Sequence, residues 1–323
     1  MSALRIGVLA YPGCFASEVF GVPDLLTMAM HIAGPDHAGY EVTIVSPRRR
    51  VAASGGAALA VSSLRDVDVL VVPGFEFSPD LDVDAKLASL APEVAAIRSH
   101  ATAGNAVVSI CVGAFLLAQA GLLQGRRATT AWLFADELAR RCPDADVRPE
   151  RLVVTDTGVT TTAAFSAMYD FALELIREHS GARVARTTAR VALVDDARSS
   201  QTPYVDEHLL PRPGNEFSRR VMRQLDQNLA DRYDLAALAD TFNVSTRTLL
   251  RRFADETGQS PLDYLRSSRV RRARHLLETT GRTVASISTA VGYRDAGTFA
   301  ALFAQHTGRR PRDYRAAFRR GAN

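Results

Sequence analysis

The chain has 323 residues, 47% of them apolar, with a formal net charge of +4, which is enough for two compact domains with separate cores. No apolar run is long enough to span a bilayer, and the opening MSALRIGVLAYPG lacks the pattern of a secretory signal. Three scattered cysteines, Cys14, Cys111 and Cys142, argue against a disulfide scaffold and for a reducing, cytoplasmic setting. No CxxC or HExxH spacing offers a metal site, and nothing in the sequence requires a cofactor or a membrane.

The charge is unevenly placed. Residues 1–217 hold 19 Lys+Arg against 25 Asp+Glu, whereas residues 218–323 hold 20 Arg and no Lys against 10 Asp+Glu. A basic segment joined to an acidic one is the footprint of a phosphate-binding module tethered to a part that avoids nucleic acid.

In chain order, LRIGVLAY, YEVTIVS, DVDVLVVPG, NAVVSIC and RLVVT are short apolar runs, several ending in Gly/Pro turns, and a helical stretch runs from Ser17 to Ile32. Strands alternating with helices predict a mainly parallel, helix-covered sheet. Ligands in such sheets sit at the carboxyl ends of the strands. In NAVVSICVGAFLLAQAGLL, a strand over 106–110 meets Cys111 and a helix follows at once. That is a strand–nucleophile–helix elbow, and a helix N-terminus is expected to lower a thiol pKa. The same spacing also fits a small buried cysteine in a tight turn.

The segment from Leu4 to about Ser180 resembles the DJ-1/PfpI, or class I glutamine amidotransferase-like, family. The resemblance rests on YPGCFASEVFGVPDLL, LVVPG, SICVGAFLLAQAGLLQGRRATTAW and TTAAFSAMYDFAL. It implies a flavodoxin-like α/β fold, Cys111 as the elbow cysteine and Glu18 as the acidic residue that reaches it. Hydrolytic relatives carry histidine directly after the cysteine, where this chain has Val112. Regulators of the family commonly carry histidine where it has Ala131, and TSAG becomes Thr161-Thr162-Ala163-Ala164. A thiol enzyme needs a base beside its cysteine. His31, His37, His100 and His179 are expected on helices or loops away from the elbow, so no catalytic residue is expected. Glu18, Gly74, Cys111, Val112 and Ala131 are the candidate ligand-binding set.

ALVDDARSSQTPYVDEHLLPRPGNEFS lacks a sustained period and reads as a linker. Domains are expected at 1–194 and 218–323, with the linker at 195–217; Arg198, Gln201 and Tyr204 resemble the joining stretch of two-domain regulators. Beyond it, Val221 to Leu229 fits a first helix. Leu235, Leu238 and Ala239 mark a short helix, Phe242-Asn243-Val244 a turn, Ser245 an N-cap, and Leu249, Leu250 and Phe253 a second helix. This is a helix-turn-helix at about 235–257. A linking helix follows over 261–279. A second helix-turn-helix at about 284–307 repeats the layout with Asp295 as N-cap. Gly258 and Gly308 act as matched stops, followed by Pro261 and Pro311.

These residues resemble the AraC/XylS family of transcription regulators, carried by LAALADTFNVSTRTLLRRF, TGQSPLDYLRSSRVRRARHLL, VGY and TGRRPRDYR. The resemblance implies double-stranded DNA as partner, read by two helices in successive major-groove turns. It also implies a small-molecule effector, RNA polymerase as a partner, activation and a homodimer. Ser245, Thr246, Arg247, Leu250 and Arg251 are the DNA-binding candidates of the first unit, and Ala296, Gly297, Ala300 and Ala301 those of the second. The second set has almost no hydrogen-bonding reach. Arg269, Arg271, Arg272 and Arg274 on the linking helix are expected to meet phosphate or solvent. The whole reads as a metabolite-responsive regulator. The alternatives are a cysteine-dependent hydrolase or a thiol redox sensor using Cys111, with Cys14 a conceivable partner, fused to a DNA-binding module.

Overall fold

The computed structural model describes residues 3–35, 37–77, 81–196, 198–206, 209 and 215–319. Residues 197, 207, 208 and 210–214 of the expected linker lie outside the described residues. The chain divides into two units, 1–201 and 202–323.

In the first unit the order is β1 (Leu4–Leu9), α1 (Ala16–Ala33), β2 (Tyr40–Val45), β3 (Val51–Ala52), β4 (Ala58–Leu59) and β5 (Val69–Val72). Then come α2 (Val83–Ser89), α3 (Ala91–Thr102), β6 (Ala106–Ser109), α4 (Ala114–Gln119), β7 (Arg127–Ala128), α5 (Ala135–Arg141) and β8 (Asp146–Val147). The unit closes with β9 (Val153–Asp156), β10 (Val159–Thr162), α6 (Ala167–Ser180) and α7 (Ala182–Val191). Six strands form one sheet in the order β2-β1-β5-β6-β10-β9. β5 is central, and its four residues VLVV are all buried, as expected of a strand covered on both faces.

The sheet is mainly parallel as expected, but β9 pairs antiparallel with β10 at one edge. The apolar runs do not reveal β10, because VTTT is not an apolar run. Its signal lies in the turn instead. Thr157 (φ 48°) and Gly158 (φ 77°) are both left-handed, the requirement of a two-residue hairpin loop.

α1 buries Val19, Val22, Leu25, Leu26 and Ala29 at helical spacing and packs on α6 and α7. This places Glu18, one residue before that stripe, inside the protein. The elbow is fixed by a different constraint. A Cβ at Gly113 would lie 2.5 Å from the Val72 carbonyl oxygen and 2.7 Å from that of Pro73, so only glycine lets the turn after Cys111 press on the end of β5.

The second unit is helical: α8 (Glu216–Gln227), α9 (Leu235–Thr241), α10 (Thr246–Thr257), α11 (Pro261–Thr279), α12 (Val284–Ala290), α13 (Ala296–Thr307) and α14 (Pro311–Phe318). Its caps follow the sequence. Asp234, Ser245, Ser260, Thr283 and Asp295 each accept a backbone N–H in the first turn of the helix they precede. Gly258 and Gly308 close α10 and α13 in the left-handed conformation. Two separate cores form. One gathers Val221, Leu225, Leu238, Leu249, Phe253 and Leu265; the other gathers Val270, Leu277, Ile287, Phe299, Phe303 and Tyr314. α11 contributes to both, so it is the spine that sets one helix-turn-helix relative to the other.

Candidate functional site

Cys111 follows β6 with φ at +54°, a conformation that is strained for a residue with a side chain. Its amide donates to the Ala163 carbonyl at 3.0 Å, and its own carbonyl accepts from Thr130 Oγ1 at 2.8 Å. A Cβ at Gly74 would lie 3.2 Å from Glu18 Oε2, 3.3 Å from Cys111 Cβ and 3.3 Å from Val112 Cγ2. Four of the five candidate ligand residues therefore meet at one point, at the carboxyl ends of β5 and β6. The fifth, Ala131, follows the residue that bonds the Cys111 carbonyl. Phe15 donates its amide to the Gly74 carbonyl at 2.9 Å, and the Phe165 amide meets the Cys111 thiol. Their rings pair edge-on at 5.7 Å, with Phe165 exposed.

The electrostatics of this corner reverse one sequence expectation. Burial pushes the Cys111 thiol up to about 12, and the nearby Glu18 carboxylate adds to the rise. The turn at 111–113 is 3-10 and the helix behind it spans only Ala114–Gln119, so the short dipole is outweighed by desolvation. Glu18 is fully buried and is raised to about 7 by that burial, opposed by the hydrogen bond from the Gly74 amide. That amide donates to Oε2 at 2.5 Å, while Oε1 is buried with no partner among the described residues.

The histidines do not come to the elbow. His100 is on a helix as expected, buried in the last turn of α3, before β6 begins. His37 and His179 pair edge-on at 5.5 Å beside Tyr40, and His31 is in the last turn of α1. The three cysteines are free and buried. Among the described residues no group of three or more His, Cys, Asp or Glu could hold a metal, and no helix is long and apolar enough to cross a membrane. A depression of about 370 Å³ lined by Arg5, Glu41, Arg65 and Asp66 lies at the other end of the strands.

In the second unit, Thr246, Arg247, Leu250 and Arg251 are all exposed on α10. Ser245 is different: its hydroxyl accepts the Thr248 amide at 3.2 Å, so it is occupied as a cap. Arg252 also faces outward but is engaged, with Nε on Glu256 at 2.9 Å and its guanidinium 4.2 Å over the Phe217 ring. On α13, Ala296, Gly297 and Ala301 are exposed and Ala300 half-buried. The linking helix corrects a second expectation. Arg269 is buried, donating to the carbonyls of Leu229 at 2.9 Å and Asp231 at 2.6 Å, with its guanidinium over the Tyr293 ring. Arg274 donates to the Tyr314 hydroxyl at 2.9 Å and the Pro203 carbonyl at 3.1 Å, and also to the Val205 carbonyl. Arg271 lies 3.7 Å from Asp226. Only Arg272 of the four is exposed.

Thr130, Phe165, Phe15 and the site role of Gln201 carried no motif in the sequence that marked them for the site. Gln201 is 2% exposed, its Nε2 donates to the Thr130 carbonyl at 2.9 Å, and its Oε1 accepts from the Trp132 amide at 3.0 Å. The available signal was the position of Gln201 in RSSQTPY, a polar residue flanked by small ones.

Residues 6–178 match the DJ-1/PfpI family model, and residues 238–317 match a helix-turn-helix domain model. The first match covers more than half of the chain: it belongs to the DJ-1/PfpI family, with an AraC-type helix-turn-helix region following. The HTH-type transcriptional regulator GbdR of Pseudomonas aeruginosa is 26% identical over 223 residues, 68% of this chain and 60% of that protein. The HTH-type transcriptional regulator GlxA of Rhizobium meliloti is 29% identical over 216 residues, 64% of each chain. This chain thus matches less than two thirds of the length of either relative. A solved THiJ/PfpI family protein from Pseudomonas syringae is 27% identical, with a TM-score of 0.50 over 60% of this chain and 76% of its own.

Proposed function

We propose that this chain is a sequence-specific, double-stranded-DNA-binding transcription regulator, acting in the cytoplasm, whose first unit binds a small effector at the elbow. The observation that carries the reading is the outer face of α10. Arg247 and Arg251 stand exposed there beside Thr246 and Leu250, while Arg252, Arg269 and Arg274 are engaged within the second unit. Arginines left outward on the second helix of a helix-turn-helix can pair with guanine O6 and N7, and a leucine between them suits a thymine methyl. α13 presents Ala296, Gly297 and Ala301 instead and would dock with little base discrimination. GbdR and GlxA carry the word regulator in their names, which supports the same reading.

The elbow serves binding rather than turnover. Its thiol is held protonated, and Val112 and Ala131 stand where a base would be needed. Glu18 Oε1, buried and without a partner among the described residues, is the group a small effector would hydrogen-bond, entering past the Phe15–Phe165 pair. Activation, a homodimer and contact with RNA polymerase complete the proposal by resemblance.

The test is a metabolite screen by thermal shift, followed by DNA affinity with and without each hit. The reading requires at least one hit whose stabilisation is lost in Glu18→Gln and which changes DNA affinity. Hits that bind and leave DNA affinity unchanged would contradict it.

A further inference from the structure

The stretch that joins the two units is bonded along both of its halves. In the first unit, Arg198 pairs with Asp170 and donates to Ser166 Oγ at 3.0 Å and to the Ser166 carbonyl at 3.1 Å. The Ser200 hydroxyl donates to the Glu150 carbonyl at 2.7 Å, and the Gln201 amide donates to that same carbonyl at 3.1 Å. The Gln201 side chain then spans the backbone of Thr130 and Trp132, and Thr130 bonds the carbonyl of Cys111. One buried amide side chain and one threonine thus separate the chain's exit from the elbow.

Bonds internal to the second unit start at once. The Pro203 and Val205 carbonyls accept from Arg274 on α11, and the Tyr204 ring lies edge-on to Phe318 at 5.2 Å. The same guanidinium holds Tyr314, whose hydroxyl donates to Glu278 at 2.6 Å. A segment that serves only as a tether is polar, solvated and free of such bonds. This one buries Gln201 and Pro203, and the division between the units falls directly after Gln201.

We infer that 198–206 is a latch carrying the state of the elbow to α11, with Gln201 as its positioning residue. The inference rests on the regulator reading above. An effector that displaces Thr130, Ala131 or Trp132 breaks the paired bonds of Gln201. The freed chain then loosens Pro203 and Val205 from Arg274, and so from the helix that sets one helix-turn-helix against the other. Gln201 held and Gln201 released are the two states that an allosteric account requires. Coupling is reciprocal, so DNA binding must act back on the 129–132 loop.

The test is amide hydrogen exchange on the full chain, free and bound to a duplex of its own upstream DNA, for wild type, Gln201→Ala and Gln201→Glu. Circular dichroism melts verify that each variant is folded. In wild type, DNA changes exchange at Trp132 and Gln201. In free Gln201→Ala, exchange at Trp132 rises about tenfold, the scale of one lost buried hydrogen bond. Gln201→Glu retains an acceptor for Trp132 and loses the donor to Thr130, so Trp132 stays protected. In both variants the DNA-induced change at 129–132 disappears, which a purely structural role would not produce. A wild type whose 129–132 exchange ignores DNA, or variants that keep the change, would overturn the latch. Protection of 246–251 by DNA reads the regulator function separately, and its absence would remove both.

Discussion

At the scale of single residues, Glu18 and Cys111 share a desolvated corner, and burial decides their chemistry. Glu18 rises from an ordinary value of 4.5 to about 7, so its proton favours the folded state. The stability it supplies is complete below pH 4.5 and is lost as pH rises through 7. A rise of that size corresponds to about 3 kcal/mol. Urea midpoints measured from pH 5 to pH 8 should therefore fall less steeply for Glu18→Gln than for wild type, with the variant more stable at pH 8. Parallel curves would mean that Glu18 is solvated. Cys111 and Val112 were readable in the sequence because an elbow is local: strand, cysteine, small residues, helix. Glu18 came only from the family resemblance, and Thr130, Phe15 and Phe165 were not read at all. The direction of the thiol shift was not readable. It depends on α1, the end of β5 and the loop at 163–165 closing over one sulfur, segments up to about a hundred residues away. Gln201 escaped for a similar reason, since its partners at 130, 132 and 150 are remote in sequence.

At the scale of elements, the arginines of α10 and α11 look alike in sequence and have different tasks. Arg269→Ala removes two charged hydrogen bonds to buried carbonyls and should destabilise the second unit by about 2–4 kcal/mol, read from urea melts. Arg272→Ala should leave the melt unchanged. If that exposed side chain meets a phosphate, the slope of log affinity against log salt should flatten by about 0.9. The reverse pattern would contradict the assignment. For α13, Ala301→Glu places a carboxylate on the exposed face that would enter the groove. Anisotropy should show uniform weakening on all duplexes, by about 1 kcal/mol or more, from repulsion by phosphate. No change would mean that α13 stays out of the groove. The helix caps and stops were legible because Ser, Asp, Pro and Gly act within one turn. Which arginine is buried was not, because periodicity gives a face and says nothing of what packs against it. β10 was missed on the same ground: its threonines hide a strand that only the turn at 157–158 discloses.

At the scale of the whole molecule, the uneven charge and the two-unit division tell a consistent story. The basic segment is the helical unit, and the acidic one carries a closed corner with a carboxyl oxygen that has no partner among the described residues. On the proposed reading, the outward arginines of α10 read DNA sequence. It is tested by fluorescence anisotropy of the full chain on its own upstream DNA and on a scrambled duplex, at two salt concentrations, with Arg251→Ala alongside. Wild type should prefer its own DNA, and the variant should lose about 1–3 kcal/mol on that duplex with little change on the scrambled one. Equal loss on both duplexes, with a flatter salt slope, would reduce Arg251 to a phosphate contact and contradict the claim.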